Sequence, residues 1–286
     1  MADFHHFPVS TLANPYFSLD YLTTAGPRLV RLVPTGENFN LFAEVPDVFW
    51  PSPNGDCYPL GGHRLWAGPE VPAITYIPDV DGVEVEPTGN GVILSREDRS
   101  PDVHYTRRIE IQLATDAPQM SLLHSIQNLG EKSMTVIPWA ITQFRLGGRV
   151  VIPQAQVTAA TDPLLPNRNL VLWSYTRLDD PRLHLEHSRY VVEGKAGEPA
   201  LKIGAHDPLG WSAIEFAEGY TLVKRFSVES PESYGDYNSN VQCYVHDAFI
   251  ELETLGARRE LLPGTEARLR EDWELYRGTL AELKLF

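Results

Sequence analysis

Cysteine is scarce in this 286-residue chain: only Cys57 and Cys243 occur. That is enough for one pairing and too few for a disulfide framework. Basic side chains are also short, with 24 Lys and Arg against 38 Asp and Glu, a formal net charge of −14. A duplex-binding surface needs excess positive charge to meet phosphates, so nucleic acid is not an expected partner. No apolar run nears the ~20 residues that span a bilayer. The opening Met-Ala-Asp-Phe-His-His-Phe-Pro has neither a positive n-region nor an apolar h-region. The expectation is a cytoplasmic protein with no membrane partner. Helical periodicity is nearly missing, with short turns expected only near 178–185 and over 278–284. G-x-S-x-G, the P-loop and G-x-G-x-x-G are absent. His184-Leu185-Glu186-His187 lacks the spacing that sets two imidazoles on one helix face, so no zinc site is expected there.

What remains is a chain punctuated by 23 prolines and 21 glycines, with short segments between them that alternate with period two. Alternation is the strand signal. Over 105–113, Tyr105, Arg107, Ile109, Ile111 and Leu113 share a face opposite Thr106, Arg108, Glu110 and Gln112. Over 267–275, Ala267, Leu269, Trp273 and Leu275 alternate with Arg268, Arg270, Asp272 and Glu274. Similar runs are read at 29–33, 39–44, 91–95, 120–127, 133–137, 170–175, 199–203, 220–227 and 241–255. Many strands and few helices predict an all-β sandwich or barrel. With no repeat, linker or low-complexity tract, residues 1–286 are expected to form one domain. The stretch 45–72 is expected to be a long loop.

Several segments could carry chemistry. Gly61-Gly62-His63-Arg64-Leu65-Trp66 joins two conformationally free glycines to an imidazole, a guanidinium and an indole. Sugars suit such a mixture, since forked donors meet hydroxyls and aromatic faces meet the C–H side of a ring. The bland alternative is a turn with a structural Arg64–Glu70 bridge. In Phe249-Ile250-Glu251-Leu252-Glu253-Thr254, period two places Glu251 and Glu253 on one face. That placement is costly unless they meet solvent, a cation or a ligand. His124 shares a face with Leu122 and Ile126, where a core role competes with a catalytic one. Trp139, Gln143 and Trp173 bring polar and aromatic groups together, and Lys202 begins another polar–aromatic cluster with His206, Asp207 and Trp211.

Taken together these blocks resemble galactose-mutarotase-like proteins. Glu251-Leu252-Glu253-Thr254, then Leu262-Pro263-Gly264 and the alternating 267–275 strand, is similar to the end of that family. Gly61-Gly62-His63-Arg64-Leu65-Trp66 with Pro69-Glu70, His124 with Asn128-Leu129-Gly130, Pro138-Trp139-Ala140-Ile141-Thr142, and Lys202-Ile203-Gly204 with Gly210-Trp211 resemble one bacterial branch of it. The resemblance implies a β-supersandwich with a sugar cleft. It implies a glutamate that takes the anomeric hydroxyl proton, a histidine that protonates the ring oxygen, and no cofactor. Glu253 matches the family's glutamate, with Glu251 as fallback, and Arg64 matches its sugar-holding arginine. Many members carry a histidine where this chain has Thr142-Gln143-Phe144, so His63 or His124 is expected to be the acid, sharing one cleft with Glu253. Trp66, Trp139, Gln143, Trp173, Lys202 and Glu251 would contact a sugar or sugar phosphate, in a monomer or homodimer. Non-catalytic sugar binding, or lyase or hydrolase chemistry on the same fold, stays open as the alternative.

Overall fold

Alternation becomes burial wherever a strand has one face on the core. In the computed structural model, which describes residues 3–155 and 165–284, His104–Leu113 and Glu266–Arg277 bury every second side chain. Among the described residues nearly everything belongs to two large antiparallel sheets. The first runs in spatial order Asp3–Phe4, Phe7–Ala13, Phe17–Leu22, Arg28–Pro34, Leu60–Gly68, Met134–Phe144, Ile250–Leu255, Val241–Val245, Leu201–Ala205 and Val171–Leu172. The second runs Leu183–Leu185, Arg189–Glu193, Arg149–Pro153, Trp211–Phe216, Tyr220–Phe226, Glu266–Arg277, Gln119–Asn128, His104–Leu113, Gly91–Arg99 and Glu84–Thr88. One apolar core draws on both sheets, with Leu65, Phe144 and Leu252 from the first and Ile109, Leu122 and Trp273 from the second.

The central strands of the first sheet, Leu60–Gly68, Met134–Phe144 and Ile250–Leu255, are buried on both faces nearly throughout. One face meets the core. The other meets a second apolar cluster of Cys57, Trp66, Ile137, Trp139, Ile141 and Leu255. A small hairpin, Trp50–Ser52 with Gly55–Cys57, lies outside both sheets and contributes Trp50 to that cluster.

Several expectations change here. The stretch 45–72 is not one loop but holds the hairpin and the nine-residue strand Leu60–Gly68. A strand covered on both faces has no polar face, so its period is invisible in sequence. The run 39–44 is strand only over Glu44–Val45, because the Asn40 side chain accepts from the Leu32 and Phe42 backbone N–H groups and replaces a ladder. Residues 170–175 pair only over Val171–Leu172. The helical turn expected near 178–185 is absent; Leu183–Leu185 pairs with Arg189–Glu193, and the other turn is a short helix, Leu280–Leu283. Cys57 and Cys243 are both free and buried. No described helix is long and apolar enough to cross a membrane.

Candidate active site

Register decides which side chains meet. Across the three central strands, Arg64, Ile141 and Glu253 stand in one row, and Gly62, Gln143 and Glu251 in a neighbouring one. Between those rows lies His63–Thr142–Leu252. Adjacent rows project to opposite faces. Glu251, Glu253, Arg64, Trp66, Trp139 and Gln143 therefore share the face away from the core, and His63 and Thr142 share the core face.

On the outer face a cavity of about 380 Å³ is lined by Trp50, Arg64, Trp66, Glu70, Tyr76, Trp139, Ile141, Trp173, Tyr175, Ala200, Lys202, Tyr244 and Glu251. Seven of those residues are aromatic; one ion pair lies in its floor, and a second joins the lining Lys202 to the fully buried Glu253 beneath. Arg64 lies 3.2 Å from Glu251 and stacks 4.3 Å over the Trp66 ring. Gln143 donates its side-chain N–H to the same Glu251 oxygen at 2.9 Å. Lys202 Nζ lies 3.2 Å from Glu253 Oε2, between the rings of Trp139 at 4.8 Å and Trp173 at 4.9 Å. Trp139 Nε1 donates to Glu253 Oε2 at 2.6 Å. At the rim, the Tyr76 hydroxyl donates to Glu70.

Four sealed polar atoms at or just beneath this floor have no partner among the described residues: Arg64 Nε and Nη1, Gln143 Oε1 and Glu253 Oε1. Leaving such groups bare costs on the order of 1–3 kcal/mol each, so a hydroxylated ligand that reaches them and supplies acceptors and donors is favoured. Burial pushes the Glu253 carboxyl up to about 7, against the opposing pull of Lys202 and the Trp139 hydrogen bond. A carboxyl poised there exchanges protons near neutrality. Burial alone would lower Lys202, but Glu253 and Glu251 outweigh it and hold the ammonium above its ordinary value.

The histidines go elsewhere. His63 and His124 are fully buried in the core with Glu271 and Lys224. The Leu269 carbonyl can only accept, so His124 Nδ1, 3.0 Å away, carries a proton. With His124 neutral, its Nε2 accepts from His63 Nε2 at 2.7 Å. His63 Nδ1 then accepts from the Thr142 hydroxyl at 2.9 Å, and Thr142 in turn accepts from Lys224 at 3.1 Å. Lys224 also lies 2.9 Å from Glu271, which accepts from Trp273 Nε1 at 3.0 Å. Burial lowers both imidazoles: His63 strongly, with His124, Lys224 and Arg64 adding to the effect, and His124 against the opposing pull of Glu271 and of its bond to the Leu269 carbonyl. His63, His124 and Glu271 offer ligand atoms within 4.8 Å of one another. The cation paired with that carboxylate is Lys224, and the two imidazole nitrogens bond to each other.

The expectation that His63 and Glu253 line one cleft is therefore overturned: they occupy adjacent rows, which face opposite sides of one sheet. His124 lies deeper still, on the second sheet. Arg64, Trp66, Trp139, Trp173, Lys202 and Glu251 line the cavity, whereas Glu253 is fully buried beneath it and reaches it only through its pairing with Lys202. Gln143 faces the same side but lies beneath Glu251, fully buried. The Arg64–Glu70 bridge is not formed, because Arg64 turns to Glu251. The two glycines answer to backbone packing: a Cβ on Gly61 would fall 1.9 Å from the Ala43 carbonyl oxygen, and one on Gly62 1.9 Å from that of Leu29.

Trp50, Tyr76 and Tyr244 were not foreseen, and only tertiary contact gathers them with Glu70 and Tyr175. Glu271 and Lys224 did leave a signal, each being a charge on the apolar parity of an alternating strand.

Among solved structures, a galactose mutarotase-like protein from Lactobacillus casei superposes with a TM-score of 0.59 at 13% identity, over 94% of this chain and 100% of its own. The chain has the galactose mutarotase fold. The Slr1438 protein from Synechocystis matches with a TM-score of 0.60 at 10% identity, over 97% and 99% of the two chains. A galactose mutarotase related enzyme from Lactobacillus acidophilus matches with a TM-score of 0.55 at 10% identity, over 95% and 98%. No protein-family model and no curated protein matches the sequence. At such identities the shared property is the galactose mutarotase fold, and the chemistry of this chain rests on its own residues.

Proposed function

We propose that the protein binds an aldose in the aromatic cavity and interconverts its anomers, with Glu253 as the proton acceptor. The observation that carries this reading is the floor of that cavity. Just beneath that floor a fully buried carboxyl poised near neutrality, Glu253, has one bare oxygen; it pairs with Lys202, which lines the cavity, and stands in the same row as Arg64, under walls of indole and phenol. Trp66, Trp139 and Trp173 offer apolar faces for the C–H side of a pyranose, and Arg64 offers unpartnered donors for its hydroxyls. Polarimetry or saturation-exchange NMR on a panel including glucose, galactose and their 6-phosphates tests the reading. Acceleration is expected for at least one sugar, and it should fall about 10²–10⁴-fold in Glu253→Gln. Unchanged kinetics in that variant would remove Glu253 from the reaction.

One observation favours a second reading, non-catalytic sugar binding: no histidine is among the described residues lining the cavity. Heat of sugar binding without any rate effect would select it.

A further inference from the structure

Ring opening needs an acid as well as a base, and the position of one constrains the other. The anomeric hydroxyl oxygen and the ring oxygen are bonded to the same carbon. A base touching the first and an acid touching the second must therefore be near neighbours on one face of the protein. His63 and His124 fail this condition, since they face the core and are committed to Thr142, to each other and to the Leu269 carbonyl. Lys202 meets it. Its Nζ lies 3.2 Å from Glu253, and its side chain lines the cavity. The rings of Trp139 and Trp173 confine it from two sides, which removes much of the rotamer freedom a lysine would otherwise keep. Strand pairing fixes its base as well, with Lys202 opposite Tyr244, and Tyr244 opposite Glu251.

Resting on the anomerisation reading above, we propose that Lys202 is the general acid of this site, standing where a histidine was expected. The anomeric hydroxyl gives its proton to the Glu253 carboxylate, and its O–H electron pair becomes the second bond of the aldehyde. The bond from the anomeric carbon to the ring oxygen breaks, its electron pair goes to that oxygen, and the oxygen takes a proton from Lys202 Nζ. The open-chain aldose then faces a neutral amine and a protonated carboxyl. After rotation about the bond next to the aldehyde carbon, the amine takes the proton back as the hydroxyl attacks the other carbonyl face. Glu253 returns its proton to the carbonyl oxygen. Charge and protons balance over the cycle, and nothing is oxidised or reduced. The ammonium is a weak acid, but an alkoxide is a far stronger base than an amine, so the transfer runs downhill as the ring bond breaks.

Lys202→Arg keeps the positive charge and the contact with Glu253 but cannot release a proton near neutrality. It is expected to bind the sugar within about threefold of wild type by calorimetry and to lose anomerisation about 10²–10⁴-fold. Lys202→Ala is expected to regain part of its rate in added methylamine, in proportion to amine concentration. Circular dichroism on both variants checks that they fold, and amine rescue keeps the test decisive should the arginine disturb the two indoles. Lys202→Arg retaining wild-type turnover would overturn the proposal and leave Lys202 an electrostatic partner only. A folded Lys202→Ala with no amine response would likewise count against it. A wild type that binds sugar but accelerates no anomerisation would overturn the reaction and the acid together, leaving the binding site. A wild type that binds none of the panel sugars would overturn the reading of the cavity itself.

Discussion

At the scale of single residues, the site is tuned by what touches Glu253. Its pull toward neutrality comes first from burial, and the Trp139 N–H at 2.6 Å works against that pull by favouring the ionised form. Trp139→Phe keeps an aromatic wall and deletes that donor. The acid limb of the rate, expected near pH 7 in the wild type from the ionisation of Glu253, should then move to higher pH. A pH profile of kcat/KM for the two proteins measures this, and a limb that stays in place would mean that Glu253 does not set it. Arg64 tests the other pair. It is nearly fully buried against Glu251, so Arg64→Met strands a buried carboxylate and is expected to cost about 3–5 kcal/mol in urea unfolding.

At the scale of elements, the Leu60–Gly68 strand carries most of the constraint. Gly61 and Gly62 adopt φ of +97° and +68° and press against neighbouring carbonyl oxygens. The sequence displays this pair plainly, but not its use. It reads as a ligand-approach turn, and it serves close contact with the chain at Ala43 and Leu29. Gly62→Ala should therefore cost at least about 3 kcal/mol, from backbone strain plus the clash. Gly147 also has positive φ, at +97°, but nothing stands within 4 Å of a Cβ there, so Gly147→Ala should cost only about 1–2 kcal/mol. Equal losses in chemical denaturation would show that strain alone, without the contact, explains both. The same strand shows why the histidine was misplaced. His63 and Arg64 are adjacent in a motif that reads as one unit, yet period two sends them to opposite faces.

At the scale of the whole molecule, buried groups titrate against one another. Burial lowers His63 and His124 below their unfolded value near 6.5, so below that pH the unfolded chain binds more protons and stability is lost as pH falls. Burial raises Glu253 and Asp207 to about 7 each, so as pH falls through 7 the folded chain binds more protons and stability is gained. Burial also lowers the partly exposed His206, so three imidazoles draw stability down as pH falls below 6.5 while two carboxyls draw it up. Glu253→Gln removes one stabilising proton and should steepen the loss on acidification by up to about 1.4 kcal/mol per pH unit between pH 6.5 and 5. Urea titrations of both proteins across that window measure the slope, and parallel curves would refute this assignment of the buried charges.

The sequence alone determined the class of fold, because a strand with one face on the core writes its burial as period two, as in His104–Leu113 and Glu266–Arg277. It also determined that Glu251 and Glu253 share a face, and it singled out Arg64, Trp66, Trp139, Trp173 and Lys202, which do meet in one cavity. Only the tertiary structure decided the rest. Strand register set Arg64 level with Glu253 and His63 level with Thr142. It closed the imidazoles into the core and brought Lys202 to Glu253 across 51 residues of chain. Parity along a strand is a local property that each side chain carries in its place in the sequence. Register between strands and the partner of a buried charge come from the packing of distant segments, and no single segment records them.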